Sequence, residues 1–367
     1  MPELPEAEAQ RRLLDRCVVG QTIERVETKE QGGGARDGQV DDKVLDGDVA
    51  SLAGARVVAA KRKGKQIWLE LEKGKTKHCL LIHLGMTGSC VIKGEAPPSY
   101  KAFSIDDAFP PKYTKLEMIM NDGTRLAYCD PRRFGRVKLR GAEPAELAAL
   151  APDALEAPAV AAMRSALSSK SAPIKAVLLD QSAVVCGIGN WVADEVLYMS
   201  RIHPATAAAA LSADQVKALR AAIVTVCKTA CDANADSEQF PATWLFHHRW
   251  AKMTTGSIAS PIGRIHFDTI GGRTTAFLPD VQKKTGGKPA AKSSRCSERS
   301  SSTMSSGSSA ASPKPATRWM ATPAPSLVGW ARRSAVTCLA MAKLLSNGAT
   351  GSVETGSSRS GSARSLG

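Results

Sequence analysis

A chain of 367 residues with 43% hydrophobic and 23% charged residues has the composition of a soluble globular protein, long enough for two or three cores. No apolar run reaches the roughly 18 residues that a membrane-spanning helix needs, and the N-terminus lacks the charged-then-apolar pattern of a secretory signal. The net charge of +14 suggests nucleic acid, but from residue 281 onward 13 Lys and Arg face only Glu298 and Glu354; residues 1–280 carry +3, so the case rests on where basic residues fall.

The chain opens MPELPEAEAQRR, and a helix is expected over 1–17. Two readings fit Pro2. In a first helical turn its missing N–H is not needed, and Glu3, Glu6 and Glu8 favour that end of the helix dipole. Removal of Met1 would instead leave Pro2 with a free secondary amine as the mature N-terminus. From about 18 to 140 short strands follow: TIERVE, ARVVAAKR, QIWLELE, HCLLIHL, KLEMIM, RLAYCD and RVKLR. Their alternation, clear in Ile67–Trp68–Leu69–Glu70–Leu71, predicts an antiparallel sandwich or barrel, with GGGARDG at 32–38 as a long loop.

Within this region AKRKGKQIWLEL at 60–71 reads either as a solvated basic edge or as a mount for a phosphate-gripping Lys65. In HLGMTGS at 83–89 two glycines bracket Met86, which is either presented on a turn or packed in a core. DPRRFGR at 130–136 is a turn that exposes Arg132, Arg133 and Phe134 together, as a duplex wedge would require, unless the Phe folds back inside.

Residues 143–233 are alanine-rich and helical in pattern, with helices expected over 173–181, 191–201 and 214–231. Two of them meet at CGIGN, where Gly187 and Gly189 allow close backbone approach. Asn190 is there either an N-cap or part of a helix–two-turn–helix clamp on a DNA phosphate. The nine cysteines are odd in number and irregular in spacing, which suits a reducing compartment; Cys227 and Cys231 share a helix face, but a second ligand pair for zinc is missing. Residues 240–280 return to strand-like segments such as GRIHFDTI and GGRTTAFLP. After about 285 the Ser, Gly, Ala, Pro, Lys and Arg content predicts a disordered basic extension, or else a mistranslated end.

PELPEAE at 2–8, HLGMTGS, DPRRFGR and GIGN together resemble, in order and spacing, the formamidopyrimidine-DNA glycosylases, which excise oxidised bases and nick the DNA. The resemblance covers about residues 1–280. It implies an α+β fold: an N-terminal β-sandwich with a catalytic N-terminal helix over 1–142, a helix–two-turn–helix domain over 143–239, a β-hairpin finger over 240–284, and the tail over 285–367. The four-cysteine zinc finger of bacterial members is missing. FDTIGGRTTAFLPDVQK at 267–283 looks like the zincless finger of plant and algal members, and GIGNWVADEVLY and DDKVLDG at 41–47 resemble that branch too. No metal or other cofactor is therefore expected.

The same resemblance implies a role for each site residue. The Pro2 nitrogen would attack C1′ of an extruded nucleotide and expel the base, leaving an iminium that drives β- and δ-elimination. Glu3 is the expected general acid/base near the sugar ring oxygen, and Glu6 the anchor that orients Pro2. Lys65, counted with the catalytic set, is expected on a phosphate, as are His83, Lys175, Asn190 and Arg273. Met86, Arg132 and Phe134 would fill the gap in the duplex, and Gly187 and Gly189 would shape the clamp. The implied partner is damaged double-stranded DNA, met by a monomer, with no membrane. The basic KKTGGKPAAKSSR at 283–295 points to the nucleus, with an organelle left open, although a catalytic residue 2 leaves no room for a cleaved leader. Formamidopyrimidines and further-oxidised purines are the expected lesions, ahead of 8-oxoguanine. Two rivals are a same-fold enzyme for oxidised pyrimidines, against which Leu4 and DPRRFG lean, and a non-catalytic damaged-DNA-binding protein. The latter has no need of an N-terminal proline.

Overall fold

The computed structural model describes residues 2–98, 108–251 and 255–284, so the tail expected over 285–367 lies outside the described residues. Helix α1 (Leu4–Val18) opens the fold, with Glu3 as its N-cap. Pro5, not Pro2, is the proline of its first turn, and Pro2 lies ahead of the helix in non-helical backbone. The N–H of its first residue, Leu4, donates outside the helix to the Gly187 carbonyl at 3.1 Å. Leu4 is buried in the helical core of the protein, whereas Ala7, Leu13, Leu14 and Val18 pack into the sandwich core. One helix thus bolts two cores together.

Among the described residues nine strands follow: β1 (Ile23–Glu27), β2 (Leu45–Asp46), β3 (Arg56–Lys63), β4 (Gln66–Lys73), β5 (Thr76–His83), β6 (Ser89–Ile92), β7 (Thr114–Met120), β8 (Arg125–Cys129) and β9 (Arg136–Gly141). They form a four-stranded sheet, β1-β7-β8-β6, and a five-stranded sheet, β2-β9-β5-β4-β3, antiparallel except for the β2–β9 pair. Alternation builds the shared core: Ile67, Leu69 and Leu71 of β4 point inward to meet Leu116, Met118 and Leu126 of the other sheet. Strands β2 and β6 escape the sequence reading for physical reasons. The first has only two residues, and the second is buried on both faces and so shows no alternation. The register sets Gln66 opposite His83 and His83 opposite Arg136, which gathers Lys65, His83 and the 130–136 turn at one end of the five-stranded sheet.

The helical part comprises α2 (Ala145–Ala148), α3 (Val160–Ser168), α4 (Ile174–Leu179), α5 (Asn190–Met199) and α6 (Ala213–Asp232). A Ser212–Gln215 capping box starts α6, and Val216, Leu219, Ile223, Val226 and Ala230 form its buried stripe. Cys227 and Cys231 lie on that stripe, so their shared face is core packing. The finger is a three-stranded meander of β10 (Gly256–Ser260), β11 (Gly263–Ile270) and β12 (Arg273–Phe277), one strand more than the expected hairpin. Gly271 and Gly272 turn its tip with φ of +62° and +72°, the left-handed geometry that a two-residue hairpin loop demands. Residues 240–251, read as strand-like, instead form turns whose Phe240 and Trp244 pack on Trp191 of α5.

Candidate active site and nucleic-acid interface

The N-terminal turn is held by its own carboxylates. Glu3 accepts hydrogen bonds from the backbone N–H groups of Trp191 (3.0 Å) and Val192 (3.1 Å), and so caps α5 from outside that helix. Glu6 accepts from Glu3 N–H at 2.8 Å and from the Trp191 indole N–H at 3.1 Å. Pro2, Glu3 and Glu6 are all buried. Burial, then the charge of Glu3, pushes the Glu6 carboxyl up to about 7, into the range where it exchanges protons at neutral pH. Glu8 stays structural: it accepts from Arg11, Arg12 and Arg62, and Arg62 also grips Asp153 at 2.6 Å.

Gly187 and Gly189 form the seat for this turn. A Cβ on Gly189 would lie 2.2 Å from Glu3 Cδ, and one on Gly187, whose φ is +105°, would lie 2.5 Å from Leu4 Cδ1. Both glycines therefore give room to the N-terminal segment. Glu3 thereby takes two N–H groups of the first turn of α5, those of Trp191 and Val192. Gly189 is the N-cap, so Asn190 is the first helical residue rather than the cap. Its amide donates to the Thr274 carbonyl at 3.0 Å, while its buried Oδ1 finds no partner among the described residues.

Lys65 sits at the tip of the β3–β4 hairpin. Gly64 beside it lets that tip press on the 186–187 turn, since a Cβ there would lie 2.8 Å from Cys186 Sγ. The Lys65 ammonium makes no hydrogen bond among the described residues. Burial lowers its pKa, Glu3 and Glu6 oppose the shift, and Arg273 adds to it, so these four charges share one field. His83 is half-buried and kept below the usual histidine range by burial and by Lys65, Arg136 and Lys138; its Nδ1 accepts from Gly85 N–H at 3.2 Å.

Lys175 comes out differently from its expected phosphate contact. It is fully buried, and its ammonium donates to Asp194 Oδ1 (2.6 Å), Thr275 Oγ1 (2.8 Å) and the Thr274 carbonyl (3.2 Å). All three protons are used inside the protein, so Lys175 pins the finger rather than the DNA. Asp194 Oδ2 also takes Arg249 at 2.6 Å and Ala276 N–H at 3.1 Å. Gly271, where a Cβ would lie 2.9 Å from Ala176 Cβ, seats the tip on α4. Arg273 is left exposed at the tip.

The remaining expected contacts lie on two touching loops. Gly85 lets them meet: its φ is +61°, and a Cβ would fall 2.4 Å from the Phe134 carbonyl carbon. Met86 is half-buried, Arg132 is exposed, and its guanidinium rests 5.1 Å from the Phe134 ring centroid. Phe134 stays out of the core, with 48% of its surface exposed. Arg133 departs from the expected exposed trio, because Asp41 takes its guanidinium at two points.

Four carboxylates that matter here escape sequence reasoning: Asp41, Asp130, Asp194 and Glu195. Asp130, the first residue of DPRRFGR, is the one with a usable signal, since Asp before Pro initiates turns. The others act on partners 19 to 92 residues away in the chain. Glu195 accepts from Leu245 N–H (3.2 Å) and Phe246 N–H (2.8 Å), and burial lifts its carboxyl to about 7. Among the described residues no three His, Cys, Asp or Glu side chains gather as a metal site.

Comparison with known proteins gives a consistent picture. Residues 1–137 match the formamidopyrimidine-DNA glycosylase N-terminal domain, and residues 150–242 match the formamidopyrimidine-DNA glycosylase H2TH domain. A formamidopyrimidine-DNA glycosylase of Arabidopsis thaliana is 40% identical over 293 residues, 78% of this chain and 72% of that protein. The crystal structure of Lactococcus lactis Fpg with DNA containing an abasic site superposes with a TM-score of 0.60 at 27% identity, over 77% of this chain and 100% of that one. For the MutM (Fpg) protein of Thermus thermophilus the TM-score is 0.57 at 28% identity, over 78% and 100%.

Proposed function

The chain belongs to the formamidopyrimidine-DNA glycosylase family, and on that premise we propose that it is a bifunctional DNA glycosylase and abasic-site lyase acting on formamidopyrimidines and further-oxidised purines. As an Fpg-type DNA glycosylase it serves DNA repair; the lyase chemistry and the lesion class are our reading. The observation that carries it is the burial of the Pro2–Glu6 turn against Gly187, Gly189 and the start of α5, beside Lys65 and Arg273. A binding protein has no use for an N-terminal turn fixed by two buried carboxylates.

With Met1 removed, the Pro2 secondary amine attacks C1′ and the bond from C1′ to the base breaks. The departing base takes up a proton and the sugar ring opens to an iminium on Pro2 nitrogen. A secondary amine yields a permanently charged iminium, which acidifies the C2′ proton. Loss of that proton expels the 3′ phosphate; a second elimination expels the 5′ phosphate, and water then releases Pro2. Glu3 serves as the general acid/base near the sugar ring oxygen while its carboxylate ties the turn to α5, and Glu6 anchors the turn through Glu3 N–H and the Trp191 indole. Lys65, His83, Asn190 and Arg273 grip phosphates, while Met86, Arg132 and Phe134 occupy the space of the extruded nucleotide. The finger segment holds no cysteine, and its tip is fastened by Lys175 and Asn190, so the reading includes no metal.

The test is covalent trapping on an abasic duplex with borohydride. The wild-type chain is expected to trap, and Pro2→Gly to lose trapping by on the order of a thousandfold while still binding the duplex. Undiminished trapping by Pro2→Gly would overturn the assignment.

A further inference from the structure

Phe134 is exposed at the tip of its turn, yet the residues on either side of it are fixed from behind. Gly135 N–H donates to Asp130 at 2.7 Å, and Asp130 also accepts from Thr87 Oγ1 (2.7 Å) and Arg132 N–H (3.2 Å). Arg133 donates from Nε and Nη2 to Asp41 at 2.6 and 2.8 Å. Asp41 comes from a segment 92 residues earlier and is fully buried. Lys115 Nζ stands 3.3 Å from it, and Lys115 is paired in turn with buried Glu30. Arg133 carries a φ of +58°, a backbone state that side-chain-bearing residues rarely adopt and that persists only when its surroundings hold it. The same early segment supplies Lys43, whose ammonium lies 5.7 Å from the Phe134 ring centroid.

This arrangement links the interior to the tip. Its inner end is a carboxylate faced by three cations, Lys115, Arg133 and, at 4.0 Å, Arg36, and its outer end is the Arg133 guanidinium, 32% exposed. Unstacking a base step costs free energy, and a wedge delivers its push to the duplex only if its mount does not yield. Ordering the mount beforehand also removes an entropic cost from the encounter.

We propose that Asp41 is a positioning residue for base extrusion: through Arg133 it fixes the turn that drives Phe134 into the duplex, and the segment over 28–43 is the mount of that wedge. The proposal rests on reading Phe134 as a wedge in a base-excising enzyme. Two substrates test it on the full chain: a duplex carrying a formamidopyrimidine, whose base must be extruded, and the same duplex with a preformed abasic site. Asp41→Asn, which keeps the volume of the buried side chain, is expected to slow single-turnover excision about tenfold and abasic nicking by less than about twofold. A merely structural role would depress both alike. Arg133→Met breaks the same link from its exposed end, leaves Asp41 with Lys115, and is expected to show the same split. On a Phe134→Ala background, Asp41→Asn should bring no further loss, because it acts through the missing ring. Equal slowing on both substrates, or losses that multiply in the double variant, would overturn the mount. Phe134→Ala excising at the wild-type rate would instead overturn the wedge itself, a different result from an impaired Phe134→Ala beside an unimpaired Asp41→Asn.

Discussion

The N-terminal turn and the Phe134 loop serve one proposed reaction on opposite plans. Residues 2–8 are buried, both carboxylates of Glu3 and Glu6 are bonded to α5 or to the turn itself, and two glycines leave no slack around them. Phe134 and Arg132 are exposed, and only the backbone behind them is tied down. A reacting atom loses rate with displacements of an ångström, so its whole neighbourhood must be fixed. A contact that has to exchange water for a base stack needs a free face and a firm root. Single substitutions set these two plans against each other.

The largest effect is expected at the tighter one. Gly189→Ala places a methyl where Glu3 Cδ already lies, 2.2 Å away. Abasic nicking should fall about a hundredfold as the turn is displaced, whereas Phe134→Ala should leave nicking of the same substrate within about twofold. Single-turnover nicking of both variants checks this; a fully active Gly189→Ala would show that the turn has room to move.

The next contrast lies in two cations at the finger, Lys175 of α4 beneath it and Arg273 at its tip. Lys175→Met removes one partner from a buried network and should cost about 3 kcal/mol in urea unfolding, without changing how duplex affinity depends on salt. Arg273→Ala, at an exposed tip, should leave stability within about 0.5 kcal/mol and lower the slope of log affinity against log salt by about 1. A changed salt slope in Lys175→Met would return that residue to the phosphate contacts.

What could be read from the sequence follows from the range of the signals. Seven named strand segments and the three named helices stand where alternation and helical period place them, because those patterns are local. Pro2, Glu3, Lys65 and Arg273 are singled out through the family resemblance of their motifs, and the fold brings the charges of Glu3, Lys65 and Arg273 into one field. At the site, what the sequence does not show is what a side chain faces. Lys175 and the glycines of CGIGN look like DNA contacts in the sequence, and only the packing of a distant β-hairpin and of the N-terminal turn reveals their inward partners. Asp41, Asp194 and Glu195 left no local mark, since an isolated carboxylate in a polar stretch reads as solvated until its partner is brought to it.

The smallest expected effect separates the carboxyls by pH. Glu6 and Glu195 both rise from 4.5 to about 7 in the folded chain, chiefly through burial. The folded state therefore holds these protons more tightly than the unfolded state. Their contribution to stability is full below about 4.5 and is lost as pH rises towards 7, at up to about 1.4 kcal/mol per pH unit for each group. Glu195→Gln removes one of the two titrations. Its amide oxygen keeps one of the N–H bonds from Leu245 and Phe246, and its NH2 opposes the other, a cost of about 1–3 kcal/mol that does not vary with pH. Urea unfolding at pH 5 and pH 7.5 should then show a less stable variant whose stability declines less with pH than the wild type. Parallel declines would place Glu195 among ordinary carboxylates and leave Glu6 as the group that titrates beside Pro2.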